Sequence, residues 1–207
     1  MNMFIARSVV EMPVNMTNTM ICEKDGWLTH VKRRPSMHYN ERPKGALVSL
    51  IVLHFISLPA GTFQGEDVDD LFMGQLNTEA NPDYASLKGL RVSSHFFIRR
   101  NGEIRQYVSV NDRAWHAGLS TFEGREGCND FSVGIELEGT GEVLFEDAQY
   151  VALREVLETL DARLPIEAVT GHEHIAPGRK ADPGPYFDWS RVRQWAKGRW
   201  RVVTTPQ

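Results

Sequence analysis

The chain has 207 residues, 42% of them hydrophobic and 24% charged, which suits a soluble protein with one full hydrophobic core. Lys and Arg number 23 against 27 Asp and Glu, a formal net charge of -4 that argues against a nucleic-acid partner. No segment approaches the ~20 consecutive apolar residues of a membrane span, and the first residues do not follow the pattern of a signal peptide, so the expected location is the cytoplasm.

Residues 1–20 carry five of the seven methionines without helical or strand periodicity. They are expected to form an extension to a domain over residues 21–207. The cysteines, Cys22 and Cys128, are too few for a disulfide framework and suit a reducing compartment, with a single bridge between them left open.

"LVSLIVLHF" (47–55) is an almost unbroken apolar run with β-branched residues, the texture of a buried central strand. The turn-rich stretch 56–92 is expected to hold short helices near Val68 to Met73 and Tyr84 to Leu87. In 93–110, Asn101-Gly102 between two extended runs predicts a hairpin. "FSVGIELEG" (131–139) alternates Val133, Ile135 and Leu137 with Gly134, Glu136 and Glu138, predicting a half-buried strand with both carboxylates on its other face.

Over 146–164, Leu153, Val156, Leu157, Leu160 and Leu164 recur at helical spacing before Pro165. "IEAVTGH" is then a short strand, and Asp188 is placed to cap a last helix through Trp195. Strands and helices in this order predict a single α/β domain with a central mixed β-sheet flanked by helices.

The chemistry concentrates at a few points. His54 falls at the end of the predicted central strand, where clefts of open α/β sheets form. "GHEHIAPGRKADPGP" (171–185) supplies His172, His174, Lys180 and Asp182 in a segment stiffened by Pro177, Pro183 and Pro185. His54, one of the two loop histidines and Asp182 match the three-ligand set of a catalytic zinc with a fourth position left for water. Periodicity leaves Glu136 and Glu138 both open as the proton acceptor such a site needs, with Glu138, nearer the strand end, read as a solvated carboxylate. Lys180, two residues before Asp182, is placed to face a developing oxyanion. His30 and His38 are read as incidental.

Five segments, "VLHFISLPAGTFQG", "RVSSHFFIRRNGEIRQYV", "RAWHAGLS", "GREGCNDFSVGIELEGT" and "TGHEHIAPGRKADPGPYFDW", together resemble the zinc-dependent N-acetylmuramoyl-L-alanine amidases of the AmpD type. The wider group includes phage amidase lysozymes and animal peptidoglycan recognition proteins. The resemblance implies Zn(2+) held by His54, His172 and Asp182, with Glu136 as general base and Lys180 as oxyanion partner. It implies Arg91, Trp115 and His116 as substrate-binding residues. The implied reaction is hydrolysis of the amide between N-acetylmuramic acid, in its 1,6-anhydro form, and L-alanine of a muropeptide, in peptidoglycan recycling. The sequence does not define the oligomeric state, and a monomer is the favoured expectation.

Two positions depart from the pattern of that group: Phe55 stands where Asn is usual, and Gly127 where Arg is frequent. Arg91 and Arg125 remain as candidate partners for substrate carboxylates. Two other functions compete, a lytic amidase acting on intact peptidoglycan and a muropeptide receptor without catalysis. Retention of all three implied ligands argues against the second.

Overall fold

A computed structural model describes residues 19–207. The expected N-terminal extension therefore lies outside the described residues except for Thr19 and Met20, and Met20 is buried in the main hydrophobic cluster. No helix among the described residues is long and apolar enough to cross a membrane. Cys22 and Cys128 are both free thiols, which closes the alternative of a bridge.

The strands are β1 (Lys32–Arg33), β2 (Tyr39–Glu41), β3 (Leu50–Ile56), β4 (Phe96–Ile98), β5 (Ile104–Gln106), β6 (Asp112–Ala114), β7 (Thr121–Phe122), β8 (Arg125–Glu126), β9 (Ser132–Glu138), β10 (Ala168–Gly171) and β11 (Arg201–Val203). The helices are α1 (Asp67–Met73), α2 (Asp147–Asp161), α3 (His172–Ile175) and α4 (Trp189–Ala196), with a 3-10 turn over Pro82–Leu87. Seven strands form one sheet in the order β1-β5-β4-β9-β3-β10-β11, and β2-β6 and β7-β8 are separate two-stranded ribbons. Within the large sheet only the β4–β5 hairpin is antiparallel, so the sheet is mixed, as expected.

The pleat assigns the two faces. Odd-numbered Ile51, Leu53, Val133, Ile135 and Leu137 pack against Leu153, Val156, Leu157 and Leu160 of α2 and Val192 of α4. Even-numbered residues of β3 and β9 face the other way, and this face carries the polar site. α2 starts where the Gln149 side chain accepts from the Glu146 backbone N–H at 3.0 Å, and α4 starts where the Asp188 side chain accepts from the Ser190 N–H at 3.0 Å.

β9 departs from the half-buried strand expected, because β3 and β4 flank it and every residue of it is buried. Glu138 is accordingly not solvated. It is 3% exposed and accepts from the backbone N–H groups of Gln64 (2.6 Å) and Arg100 (2.9 Å), a structural carboxylate that ties the loop after β3 to the hairpin.

A second buried polar cluster holds α1 to the sheet. Asp69, fully buried, accepts from the Arg105 guanidinium and from the Tyr107 hydroxyl at 2.9 Å. Arg105 also donates to Glu66 (2.9 Å) and Glu103 (2.5 Å). Asp69→Ala removes one of three carboxylates around Arg105 and leaves the buried Tyr107 hydroxyl without its acceptor, so it is expected to lower stability by about 1–3 kcal/mol in denaturant titrations. Because Leu71 and Phe72 of α1 wall the cleft described next, the same variant should loosen that wall.

Candidate active site

The parallel register explains how residues 118 positions apart meet. His54 on β3 pairs with Glu136 on β9, so their side chains leave the same face at the same level. Gly171, the last residue of β10, pairs with Leu53, which brings His172 at the start of α3 level with His54. All three groups thus stand at the carboxyl ends of parallel strands, the edge at which open α/β sheets form their clefts. Asp182 reaches the same point from the loop after α3, which folds back so that the Glu173 N–H donates to the Asp182 backbone carbonyl at 2.8 Å.

Three potential ligand atoms converge. His54 Nδ1 is 2.8 Å from Asp182 Oδ2 and 3.0 Å from His172 Nδ1, and His172 Nδ1 is 3.0 Å from the same Asp182 oxygen. All three residues are buried and could hold a metal ion. The donor chemistry fits. His172 Nε2 lies 3.0 Å from the Ala117 carbonyl, which can only accept, so the proton of the neutral ring sits on Nε2 and the Nδ1 lone pair faces the cluster.

Burial, with the neighbouring His172, lowers His54 to about 4, which keeps it neutral. Burial alone raises the Asp182 carboxyl, but its close contacts with the His172 and His54 rings outweigh it and hold the group below the ordinary range. Neutral imidazole and ionised carboxylate are the forms in which these side chains bind a divalent ion.

Glu136 Oε1 lies 4.0 Å from His54 Nδ1, and its Oε2 is buried without a hydrogen-bond partner. Burial first, and the Asp182 charge second, push its carboxyl well above the usual range, while Lys180 pulls the other way. A carboxylate in such a position is poised to take up a proton. The structure thus separates the two carboxylates that periodicity left equal: Glu136 opens on the cleft, and Glu138 is consumed by backbone donors.

A cavity of about 300 Å³ is lined by His54, Glu136, His172, Lys180 and Asp182 together with Trp115 and His116. A second, of about 480 Å³, shares Leu71, Leu87, Leu90 and Trp115 with it and adds Arg91. Arg91, Trp115 and His116 therefore line one composite cleft. Arg125 does not join them: its guanidinium stacks 3.7 Å from the centre of the Phe131 ring. Phe55 lines the cleft, its ring lying against Gly141 and Gly184, and Gly127 adopts φ +70°, a conformation that suits glycine. His174 points away from the ligand cluster and meets Trp189 edge to face at 5.7 Å between ring centres.

Three supporting residues escaped sequence reasoning. His38, read as incidental, stacks on Trp115 with centres 6.0 Å apart and ring planes within 12°, and its Nδ1 contacts the Val92 carbonyl at 3.1 Å. Asn40 Oδ1 accepts from Trp115 Nε1 at 2.6 Å. Asn129 Oδ1 accepts from the backbone N–H groups of His116 (3.1 Å) and Ala117 (2.8 Å), fixing the segment whose carbonyl holds His172. None carries a local signal, since each acts through contacts distant in sequence.

Gly134 is needed for close approach. A Cβ there would lie 2.4 Å from His116 Cγ. Gly134→Ala is expected to cost about 1–3 kcal/mol through overpacking and to displace the His116 ring, measured by thermal melting and by the His116 side-chain resonances.

The mixed sheet thus carries, in a cleft at its strand ends, a His-His-Asp cluster that could hold a metal ion beside a buried glutamate, the architecture of a single-domain hydrolase. The chain belongs to the N-acetylmuramoyl-L-alanine amidase family, whose pattern matches residues 43–185. It is 54% identical over 170 residues to the 1,6-anhydro-N-acetylmuramyl-L-alanine amidase AmpD of Salmonella typhimurium, covering 81% of this chain and 91% of that protein. A crystal structure of a selenomethionine AmpD derivative superposes with a TM-score of 0.80 at 51% identity, covering 83% of this chain and 97% of the other. The AmiD amidase of E. coli, in complex with the substrate anhydro-N-acetylmuramic acid-L-Ala-D-γ-Glu-L-Lys, gives a TM-score of 0.53 at 30% identity over 86% of this chain and 65% of AmiD.

Proposed function

We propose that this protein hydrolyses the amide between the lactyl group of 1,6-anhydro-N-acetylmuramic acid and L-alanine of soluble muropeptides, in cytoplasmic peptidoglycan recycling. Residues 21–207 act as one amidase domain in a monomer, with zinc held by His54, His172 and Asp182. The similarity to AmpD over most of both chains supports the substrate class. The observation that carries the chemistry is the cluster of His54, His172 and Asp182 ligand atoms with a buried, unpartnered Glu136 oxygen beside it.

Two imidazoles and one carboxylate are the ligand set of a catalytic zinc with one open position, and zinc bound there supplies a Lewis acid and lowers the pKa of water. The remaining work falls to the chain's own groups. Glu136 takes the proton that water loses on attacking the carbonyl and returns it to the departing L-alanine nitrogen. The Lys180 ammonium, on the same cavity wall, faces the negative charge that grows on the carbonyl oxygen. Trp115, backed by His38, offers a rigid flat surface to the sugar, and Arg91 offers a positive charge to the acidic stem peptide.

Incubation with 1,6-anhydro-MurNAc-tripeptide followed by mass spectrometry tests this reading. Free tripeptide and anhydro-sugar are expected, and a chelator should abolish them. Intact substrate after incubation with zinc-loaded protein would overturn the proposal, and preferential cleavage of purified sacculi would point to the lytic alternative.

A further inference from the structure

We infer that Ser132 and His116 form a hydrogen-bond chain of fixed polarity that sets the tautomer of His54, which makes His116 a positioning residue for a metal ligand as well as part of the cleft wall. The inference rests on the metal-site reading above.

The polarity follows from the far end. The Cys128 carbonyl can only accept, and Ser132 Oγ, 2.6 Å away, spends its one proton there. His116 Nε2, 3.1 Å from Ser132 Oγ, must then donate to it. A neutral imidazole protonated on Nε2 carries its lone pair on Nδ1, and His116 Nδ1 lies 3.0 Å from His54 Nε2. His54 therefore donates from Nε2, and its own lone pair is left on Nδ1, the atom that meets Asp182 and His172.

The opposite polarity would put a proton on His54 Nδ1, inside the ligand cluster, and would leave His116 Nε2 without a proton to give to Ser132. His172 is fixed in parallel through the Ala117 carbonyl, so two consecutive residues, both anchored by Asn129, orient both imidazoles.

One face of β9 builds this arrangement by its period of two. Ser132 terminates the chain, Gly134 leaves the room that the His116 ring occupies, and Glu136 stands at the cleft. Ser132 is fully buried and lies outside the cleft lining, so its hydroxyl reaches the site only through His116.

The test uses the full-length zinc-loaded protein. Long-range 1H–15N correlation spectra are expected to show the His116 proton on Nε2. In chelator competition, His116→Phe should bind zinc roughly 10–100-fold more weakly than wild type, the usual loss when the partner behind a ligating histidine is removed, and Ser132→Ala, one step further back, should lose a smaller but measurable part of that affinity. His116→Asn, whose side-chain oxygen can still accept from His54, should recover much of the affinity that His116→Phe loses. A His116 proton on Nδ1, or a folded Ser132→Ala protein with wild-type zinc affinity, would overturn the inference while leaving the metal site standing. A wild-type protein that binds no zinc would overturn both.

Discussion

Asp182→Ala is expected to leave a folded protein that retains no stoichiometric zinc after dialysis and hydrolyses anhydro-muropeptide at least ~10³-fold more slowly, since a catalytic metal supplies several kcal/mol at the transition state. The carboxylate is the sole anion of the ligand cluster, and both imidazoles lean on its Oδ2 at 2.8 and 3.0 Å. Without it, two Nδ1 lone pairs face each other at 3.0 Å and the cluster has only two ligand atoms. The sign of the stability effect in metal-free protein follows from the lowered Asp182 pKa. Its contribution is present above the unfolded carboxylate value of ~4 and fades as pH falls through the lower folded value. The variant should therefore lose more stability at neutral pH than in strong acid. Metal analysis, steady-state turnover and melts at the two pH values measure this, and full activity in the variant would remove Asp182 from the site.

The sequence disclosed those parts of the fold whose signal is local. The apolar run over 47–55, the Asn101-Gly102 turn, the leucine spacing of 146–164 and the Asp188 cap each correspond to an element close to the expected place. β1, β2, β6, β7, β8 and β11 were not legible, because strands of two or three residues have no periodicity to read and exist only through partners distant in sequence. The full burial of β9 is hidden from the sequence for a related reason. Alternation reports that a strand's faces differ, and a face lined by glycine, glutamate and serine can be roofed by a polar side chain, here His116, instead of water.

The site followed the same rule. His54 could be picked out because a histidine at the end of an apolar strand is conspicuous. The choice of Glu136 over Glu138 depended on family resemblance until the structure supplied a physical basis, namely that backbone donors take up Glu138 and none reaches Glu136 Oε2. The selection of His172 over His174 likewise came from resemblance. The geometric reason is register: His172 directly follows the residue paired with Leu53, whereas His174 sits two residues further along α3 and faces Trp189.

Glu136→Gln separates catalysis from metal binding and from stability in one variant. It is expected to keep its zinc, because Glu136 is outside the ligand set, and to lose ~10²–10⁴-fold in turnover, the range for a general acid–base group. Stability should move in the opposite direction. Burial raises the folded Glu136 pKa, so the native state keeps a proton that the unfolded chain has released. Native stability then falls as pH rises above the unfolded value of ~4.3, by about 1.4 kcal/mol per pH unit until the raised value is reached. Glutamine has no proton to lose and escapes this cost. Chelator-treated Glu136→Gln should therefore melt above wild type at pH 7, and the gap should close near pH 4. A gap that stays constant with pH would mean that the buried oxygen is not destabilised by its surroundings, and would remove the physical reason for treating Glu136 as a carboxylate held ready to accept a proton.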